Sequence, residues 1–301
     1  DANGTGEPQG VVCGAHNFEA GDLVAVILPG GVITTPMGPL TVSARKTYGH
    51  VSAGMICSER ELGIGDDHDG ILVLTRKFAG DADSLAALTP GTDAMPLLGL
   101  DRETVEVNVT PDRGYCFSVR GIAREYWHAT GAAFTDPATA LDAAAPAPTD
   151  AGFPVVLADE APIRERDGCD RYVARVVRGI DVSAPTPRWM ATRLTEAGMR
   201  PISLPVDVTN YVMLGLGQPL HAFDLDTLQA PIVVRRARVG ERLTTLDDAD
   251  RALDEGDLLV TDHGGERAVA IAGVMGGAET EVGSSTRDVL IEAAHFDPVS
   301  I

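Results

Sequence analysis

Three polar side chains between residues 205 and 224 could together carry out hydrolysis. Thr209 and Asn210 are neighbours in a predicted helical turn, and His221 lies on the segment that follows. They would supply a hydroxyl, a carboxamide and an imidazole beside apolar walls. An activated ester suits a site of this kind, because a positioned water and a polarised carbonyl can suffice for its hydrolysis. On spacing alone the alternative stays open that Thr209 and Asn210 terminate a helix and that His221 is a hydrogen-bonded core histidine.

The surrounding residues predict the elements that would bring this group together. A short helix is indicated by apolar residues that can share one face, namely Val206, Tyr211, Val212 and Leu214. Gly215 and Gly217 are expected to end the helix, because glycine adopts the left-handed cap conformation at little cost. The dipeptide Gln218-Pro219 then predicts an extended exit, since the residue before proline avoids the α region. His221 therefore starts a new segment that can fold back toward the helix.

A second group of residues could form a pocket. Residues 268–272 predict an apolar strand that runs into the glycine-rich segment 273–277, where the backbone can approach a ligand closely. Residues 289–293 predict another apolar strand, which Glu292 interrupts. A carboxylate inside a buried strand needs a reason. The alternative is that Glu292 faces solvent at the edge of a sheet.

Several common kinds of site are disfavoured by motifs that the chain lacks. The segment 273–277 has neither the Lys-Ser/Thr of a P-loop nor the spacing of a Rossmann turn. There is no Gly-x-Ser-x-Gly nucleophile elbow, and no two histidines have metal-ligand spacing on one helix. No Cys-x-x-Cys pair exists among Cys13, Cys57, Cys116 and Cys169, so a zinc ribbon or a thioredoxin-type site is not expected. We therefore expect a site without a metal, a cofactor or an obvious nucleophile.

Short predicted strands separated by Gly and Pro turns fill residues 9–80, a pattern typical of a small barrel. These strands are expected at residues 11–13, 23–28, 32–33, 40–42 and 70–74. Among them, Ser58 and Glu61 have the spacing of a capping box, which predicts a helical turn.

The remainder of the chain predicts alternating strands and helices. Residues 105–109 alternate as an amphipathic strand. A helix is expected to begin after Ser118 and to end at Gly131. Residues 132–151 are rich in Ala, Pro and Thr and are predicted to be a flexible linker. A last domain, of mixed α/β character, is expected over residues 152–301.

The charge balance limits the nucleic-acid contacts that the chain can make. Its net charge is -20, which disfavours broad, unspecific binding to nucleic acid, so any contact with RNA must be local. The local basic candidates in the barrel region are Arg45, Lys46, Arg76 and Lys77; the alternative is an exposed surface that contributes nothing to binding. No apolar run approaches the ~20 residues of a membrane helix. The first residues lack signal-peptide features and an initiator Met, so we expect a fragment of a longer protein.

Several stretches resemble, in the same order, the bacterial phenylalanyl-tRNA synthetase beta subunit. They are GHVSAGMICSERELGI (49–64), TPDRGYCFSVRGIARE (110–125), VDVTNYVMLGLGQPLHAFDLD (206–226), AIAGVMGGAETEV (270–282) and VLIEAAHFDP (289–298). The resemblance covers nearly the whole chain. It implies an α+β, multidomain fold, in which an OB-fold β-barrel is inserted in a small α+β domain and a mixed α/β editing domain follows. The implied boundaries are a tRNA-binding OB module at 1–80, the remainder of the small domain at 81–131, the linker at 132–151 and the editing domain at 152–301.

The resemblance also implies an activity and roles for particular residues. In the family, the editing domain hydrolyses tyrosine wrongly attached to the phenylalanine tRNA. Carried over to matching positions, the catalytic residues Thr209, Asn210 and His221 would surround the ester and the terminal adenosine. The backbone of Ala272 and Gly273 would line the amino-acid pocket, and Glu292 would accept a hydrogen bond from the tyrosine hydroxyl.

The remaining implications concern the whole enzyme. In the family, the beta subunit assembles with an alpha subunit into a cytoplasmic alpha2beta2 heterotetramer that acts on tRNA(Phe). The aminoacylation site lies in the alpha subunit, so ATP and magnesium are expected for the holoenzyme and no cofactor for this fragment. The alternative is a tRNA-binding and scaffolding fragment in which the editing pocket is inactive. An unrelated sugar- or protein-binding β-rich module is disfavoured by the ordered motifs.

Overall fold

The computed structural model describes residues 1–35, 38–65, 67–145, 147, 149 and 151–301. They form two compact units, residues 1–104 and residues 105–301. The elements of the first unit are β1 (Val26–Ile27), β2 (Val32–Thr35), β3 (Gly38–Thr41), β4 (Arg45–Thr47), β5 (His50–Ser52), β6 (Met55–Ile56), α1 (Glu59–Leu62), α2 (Leu74–Lys77), α3 (Ala82–Ala87) and α4 (Ala94–Leu98).

The strands of the first unit form short antiparallel ladders. Strand β1 pairs with β6, β2 with β3 and β4 with β5. Within the described residues these ladders do not join into a closed barrel, so the expected OB barrel is not confirmed. Residues 11–13 form no strand, and at 70–74 a single bridge from Val73 to Val24 stands before α2 begins. Leu72, Leu74 and Phe78 form the centre of this unit's hydrophobic core.

The capping box predicted in the first unit is confirmed. The Ser58 hydroxyl accepts a hydrogen bond from the Glu61 amide at 3.3 Å, and the Glu61 carboxylate accepts one from the Ser58 amide at 2.8 Å. Gly63 closes α1 in the left-handed conformation, with a φ of 69°. These reciprocal bonds satisfy amide groups that would otherwise lack partners at the start of a helix.

The second unit alternates helices and strands. Its elements are α5 (Val119–Thr130), α6 (Pro137–Ala144), β7 (Val155–Ala158), β8 (Cys169–Val177), α7 (Arg188–Glu196), α8 (Leu204–Leu216), β9 (His221–Asp224), β10 (Ile232–Arg236), β11 (Arg242–Thr244), β12 (Asp250–Ala252), β13 (Leu258–Asp262), β14 (Arg267–Ile271), β15 (Met275–Gly276) and β16 (Val289–Phe296). Short 3-10 segments occupy Pro111–Cys116, Leu225–Thr227, His263–Gly265 and Ala278–Thr280.

The beginning of this unit both confirms and corrects the sequence predictions. Helix α5 starts after Ser118, whose hydroxyl accepts a hydrogen bond from the Gly121 amide at 3.1 Å, and it ends at Gly131 as predicted. The strand predicted at 105–109 is wrong, because these residues are mostly exposed and pair with no described strand. Helix α6 occupies part of the predicted linker and is tied to α5 by the Arg120–Asp136 ion pair at 2.7 Å. Residues 146, 148 and 150 of that predicted linker lie outside the described residues.

Two sheets enclose the main core of the second unit. The larger has the strand order β15-β14-β13-β10-β7, and the smaller has the order β8-β16-β9. Phe223 and Leu290 from the smaller sheet pack with Val234, Val260 and Val269 from the larger one, and all of these side chains are almost fully buried. Burial of such side chains from water is the main favourable term in folding. The mixed α/β architecture with several sheets is therefore confirmed.

Ion pairs with at least one buried partner brace the larger sheet. Arg235 bonds Glu241 at 2.7 Å, Arg236 bonds Asp159 at 2.7 Å and Arg267 bonds Asp262 at 2.6 Å.

Within the described ranges, the structure contains no helix of the length and apolar character that crossing a membrane requires. In the same ranges, no cluster of three His, Cys, Asp or Glu side chains is placed to hold a metal ion.

Candidate active site

His221 lies between the two sheets at the start of β9. Its strand pairs with β16, and in that ladder His221 stands opposite Glu292. The imidazole packs edge-to-face on Phe223, with ring centroids 4.4 Å apart. Its Nε2 atom is buried and has no hydrogen-bond partner among the described residues, which argues against a fully hydrogen-bonded core histidine. Burial lowers the pKa of His221 to about 4, because the charged ring would lose its hydration. The imidazole is therefore neutral at neutral pH.

The glycine-rich segment holds the backbone of β15 against the His221 ring. A Cβ atom at Gly276 would lie 2.6 Å from Cε1 and 2.9 Å from Nε2 of His221. Any side chain at position 276 would therefore displace the ring. At Gly277 a Cβ would lie 2.8 Å from the Val269 carbonyl oxygen, so that position is restricted by the sheet itself. The sequence predicted that these glycines let the backbone come close to a ligand. At Gly276 the backbone instead comes close to the imidazole of His221.

Glu292 occupies the middle of the smaller sheet. Strand β16 lies between β8 and β9, and Glu292 is 8% exposed. The alternative of a solvent-facing residue at a sheet edge is therefore wrong. The Glu292 Oε2 atom accepts a hydrogen bond from the Tyr172 hydroxyl at 3.0 Å. Burial raises the pKa of Glu292 to about 7, and the Tyr172 hydrogen bond opposes that rise.

Helix α8 carries Thr209 and Asn210 beside the strand of His221. The start of the helix is fixed by the buried Asp207, which accepts hydrogen bonds from the Thr186 hydroxyl and, at 2.8 Å, from the Ile202 amide. The buried Thr209 hydroxyl donates to the Val206 carbonyl at 2.7 Å. The Asn210 carboxamide is half-buried and makes no hydrogen bond to a described residue.

The end of α8 differs slightly from its prediction. Gly217 ends the helix in the left-handed conformation, with a φ of 82°. Gly215 was expected to help stop the helix, but it lies inside the last turn. The polar residues of α8 and the imidazole of β9 are thus held on consecutive, contacting elements; that the three side chains meet in one site stays a prediction.

Ala272 and Gly273 follow β14 and lie toward the far end of β16. Ala272 is buried, and its amide donates to the Leu258 carbonyl at 2.9 Å. Gly273 has a φ of 70°, a conformation that favours glycine. A Cβ at Gly273 would lie 3.2 Å from the Phe296 ring. The role of this backbone in lining a pocket stays a prediction.

The predicted RNA-binding residues belong to the first unit and differ in their environments. Arg45 and Lys46 are exposed on β4. Arg76 pairs with Asp22 at 3.2 Å, and Lys77 pairs with Glu59 at 2.5 Å. An arginine or lysine already paired with a carboxylate must give up that partner to bind phosphate, so Arg45 and Lys46 are the more accessible candidates.

Sequence reasoning missed two residues that shape the site. Tyr172 was treated only as part of a strand, and Asp207 only as part of a helix. A polar aromatic residue within a predicted strand was the only available signal for Tyr172, and it does not identify a partner. Asp207 could have been recognised as an acidic residue in the first turn of a helix, a position that it commonly occupies.

Comparison with known proteins agrees with the resemblance seen in the motifs. The model of the B3/4 domain family matches residues 168–301. The chain is 60% identical over its whole length to the phenylalanine–tRNA ligase beta subunit of Leifsonia xyli subsp. xyli, covering 34% of that protein. It is 54% identical, again over its whole length, to the corresponding subunits of Bifidobacterium longum and Thermobifida fusca, covering 35% and 34% of them.

A solved structure is also similar, but only distantly. It is an N-terminal fragment of the phenylalanyl-tRNA synthetase beta subunit from Pyrococcus horikoshii, at 16% identity and a TM-score of 0.35, with 66% of this chain and 60% of that chain covered. This likeness is too low to support an argument about the fold. The chain spans about a third of the length of the curated relatives that it matches. Over that third, the chain is homologous to phenylalanine–tRNA ligase beta subunits, which are subunits of an aminoacyl-tRNA synthetase.

Proposed function

We propose that this chain is the editing region of a phenylalanine–tRNA ligase beta subunit and that it hydrolyses tyrosine esterified to tRNA(Phe). The observation that carries the proposal is the cross-strand pair of His221 and Glu292 between the two sheets, with the strand of His221 in contact with the helix that carries Thr209 and Asn210. An unpaired buried imidazole and a buried carboxylate cost free energy, so a functional reason for both is expected.

Glu292 supplies the discrimination between tyrosine and phenylalanine. The tyrosine hydroxyl donates a hydrogen bond to the carboxylate, whereas phenylalanine leaves the same carboxylate without that partner. Sites that bind a substrate hydroxyl in this way reject the analogue that lacks it by roughly 10⁴-fold or more, against about 10–200-fold for a methylene in an apolar pocket. The rise in the pKa of Glu292 to about 7 means that its ionised, accepting form prevails only above neutral pH.

Hydrolysis proceeds by attack of water on the ester carbonyl carbon. A C–O bond forms to the water oxygen, the bond to the ribose oxygen breaks, and a proton from the water ends on that ribose oxygen. His221 is neutral, and because its Nε2 atom is enclosed, it accepts a hydrogen bond from the water at Nδ1. With its pKa lowered to about 4, the imidazole is a weak base, so we assign it the orientation of water rather than removal of the proton. Thr209 and Asn210 hold the ester and the terminal adenosine.

The other parts of the proposal concern the whole enzyme. The first unit serves as an OB-type tRNA-binding module, with Arg45 and Lys46 as its main phosphate contacts and Arg76 and Lys77 as further candidates. ATP- and magnesium-dependent synthesis of Phe-tRNA(Phe) takes place on the alpha subunit of a cytoplasmic heterotetramer. The chain itself uses no cofactor.

Deacylation of Tyr-tRNA(Phe), measured side by side for this chain and for the full-length beta subunit assembled with its alpha subunit, tests the proposal. We expect the whole enzyme to release tyrosine from Tyr-tRNA(Phe) and to leave Phe-tRNA(Phe) largely intact. Activity in the whole enzyme alone would mean that the site needs the remaining two thirds of the protein. If neither sample releases tyrosine faster than buffer does, the editing function is refuted and a tRNA-binding, scaffolding role is left.

A further inference from the structure

Tyr172 lies beside Glu292 on the same face of the smaller sheet. In the β8–β16 ladder Tyr172 stands opposite Ala294, two residues from Glu292, and alternate residues of a strand share a face. The two side chains are therefore diagonal neighbours, which long side chains can bridge. The Tyr172 hydroxyl donates to the Glu292 Oε2 atom at 3.0 Å. The structure thus places a resident phenol against the carboxylate that is proposed to bind a substrate phenol.

The hydrogen bond occupies one carboxylate oxygen and leaves the other available. The Oε1 atom of Glu292 bonds to no described residue, and it is not fully enclosed by the protein. In this it differs from the Nε2 atom of His221, which is both unpaired and enclosed. A carboxylate can accept hydrogen bonds at both oxygens. A substrate hydroxyl can therefore bind Oε1 while Tyr172 stays on Oε2.

The groups around Glu292 do not compete with it for protons near neutral pH. On β8, burial and the charge of Glu292 raise the pKa of Tyr172, so the phenol remains a donor. Burial also raises the pKa of the nearby Cys169 thiol to about 11. On β9, His221 is neutral, because burial lowers its pKa to about 4. Of these groups, Glu292 is the one that changes its charge near pH 7.

We propose that Tyr172 is a positioning residue for substrate selection, which anchors Glu292 by Oε2 so that Oε1 is presented to the tyrosine hydroxyl as an acceptor. This inference rests on the proposed editing function. Without the anchor, the buried carboxyl group rotates freely and takes up a proton more readily, since a hydrogen bond to the ionised form stabilises that form. A protonated Glu292 no longer penalises phenylalanine, so discrimination falls. The opposite arrangement, in which substrate must displace Tyr172, predicts that removing the phenol improves binding of tyrosine.

The test is Tyr172→Phe in the full-length beta subunit assembled with its alpha subunit. We expect the ratio of Tyr-tRNA(Phe) to Phe-tRNA(Phe) deacylation rates at pH 7 to fall about tenfold, the loss of one hydrogen bond to a charged group. We also expect the pH at which this ratio reaches half its maximum to move to a higher value, which a merely structural role would not cause. Tyr115→Phe is the matched control, because it removes a hydroxyl that donates to a different, partly exposed carboxylate, that of Glu125, and it should change neither quantity.

Two further measurements keep the result interpretable. Site-specific replacement of Tyr172 by 3-fluorotyrosine keeps the ring and strengthens the donor, so the half-maximal pH should move down rather than up. In a Glu292→Gln background, Tyr172→Phe should change the ratio no further, because Tyr172 acts through Glu292. An unchanged or increased ratio in Tyr172→Phe, or a half-maximal pH that neither replacement moves, overturns this inference. If Glu292→Gln itself leaves the ratio unchanged, the proposed function fails instead.

Discussion

At the scale of single residues, burial determines what His221 can do. The imidazole is neutral because desolvation lowers its pKa to about 4, and its buried Nε2 atom has no partner in the part of the chain that the structure describes. A residue in this state orients water or the ester equally well for any amino acid. It acts at the ester, which is the same in Tyr-tRNA(Phe) and in Phe-tRNA(Phe).

His221→Ala should therefore slow deacylation of Tyr-tRNA(Phe) and of Phe-tRNA(Phe) alike, by roughly 10–100-fold. Single-turnover deacylation of both esters by the full-length enzyme measures this. In Glu292→Gln, which lacks the carboxyl group that titrates at about pH 7, the rate should show no inflection near the ordinary histidine pKa of 6.5, since His221 binds a proton only as the pH falls toward about 4. A loss of rate for only one of the two substrates would contradict a role of His221 at the ester, which both substrates share.

Glu292 gives a prediction about stability. Its pKa is raised from 4.5 to about 7 on folding, so the folded state prefers the protonated form. The contribution of Glu292 to the free energy of unfolding is therefore fully present below pH 4.5 and is lost as the pH rises through about 7. Glu292→Gln should therefore stabilise the protein at pH 8 by on the order of 2 kcal/mol and change little at pH 4.5. Urea unfolding midpoints at the two pH values measure the difference; a variant that is less stable at pH 8 would contradict it.

At the scale of elements, the approach of β15 to β9 depends on a missing side chain. Gly276→Ala would place a Cβ atom 2.6 Å from Cε1 of His221, which is closer than unbonded carbon atoms come. We expect the ring to shift and deacylation of both esters to fall about tenfold or more, since small misplacements near the reacting atoms are costly. Gly283→Ala is the control, because no atom of a described residue lies within 4 Å of its added Cβ. Equal rates in the two variants would show that the ring position does not matter.

The elements also show where sequence reasoning works. Helix ends were predicted well at Ser58, Ser118 and Gly131, because capping depends on residues within one turn. The strand at 105–109 was wrong, since alternation gives one face of a strand but does not supply a neighbouring strand to pair with. Pairing is a long-range property, and for the same reason the barrel expected over residues 9–80 is not confirmed.

At the scale of the whole molecule, the charge of -20 leaves little surface that attracts RNA. Arg45 and Lys46 are exposed, whereas Arg76 and Lys77 are paired with carboxylates. Replacing Arg45 and Lys46 by Gln should weaken tRNA binding by the full-length enzyme and reduce the slope of log affinity against log salt by about 1 for each lost phosphate contact. Arg76→Gln is the comparison and should have a smaller effect. Filter binding over a salt series measures both the affinity and the slope. An unchanged slope would show that Arg45 and Lys46 of β4 do not contact the phosphates of the tRNA.

The site itself was only partly predictable. The sequence placed Thr209, Asn210 and His221 on consecutive elements, because all three lie within one short segment. It singled out Glu292, because an acid is unusual in an apolar strand. It did not identify the hydroxyl that reaches Glu292, since Tyr172 lies 120 residues away along the chain and only the pairing of β8 with β16 brings the two together.

The central claim is that Glu292 distinguishes tyrosine from phenylalanine, and Glu292→Ala tests it most directly. The measurement is the ratio of Tyr-tRNA(Phe) to Phe-tRNA(Phe) deacylation rates in the full-length enzyme, with synthesis of Phe-tRNA(Phe) as the check on folding. We predict that the ratio falls by roughly 10–150-fold, the loss of a hydrogen bond to a charged group, while synthesis is retained. A ratio equal to that of the wild type, with synthesis intact, would contradict the account and leave Glu292 as a structural residue.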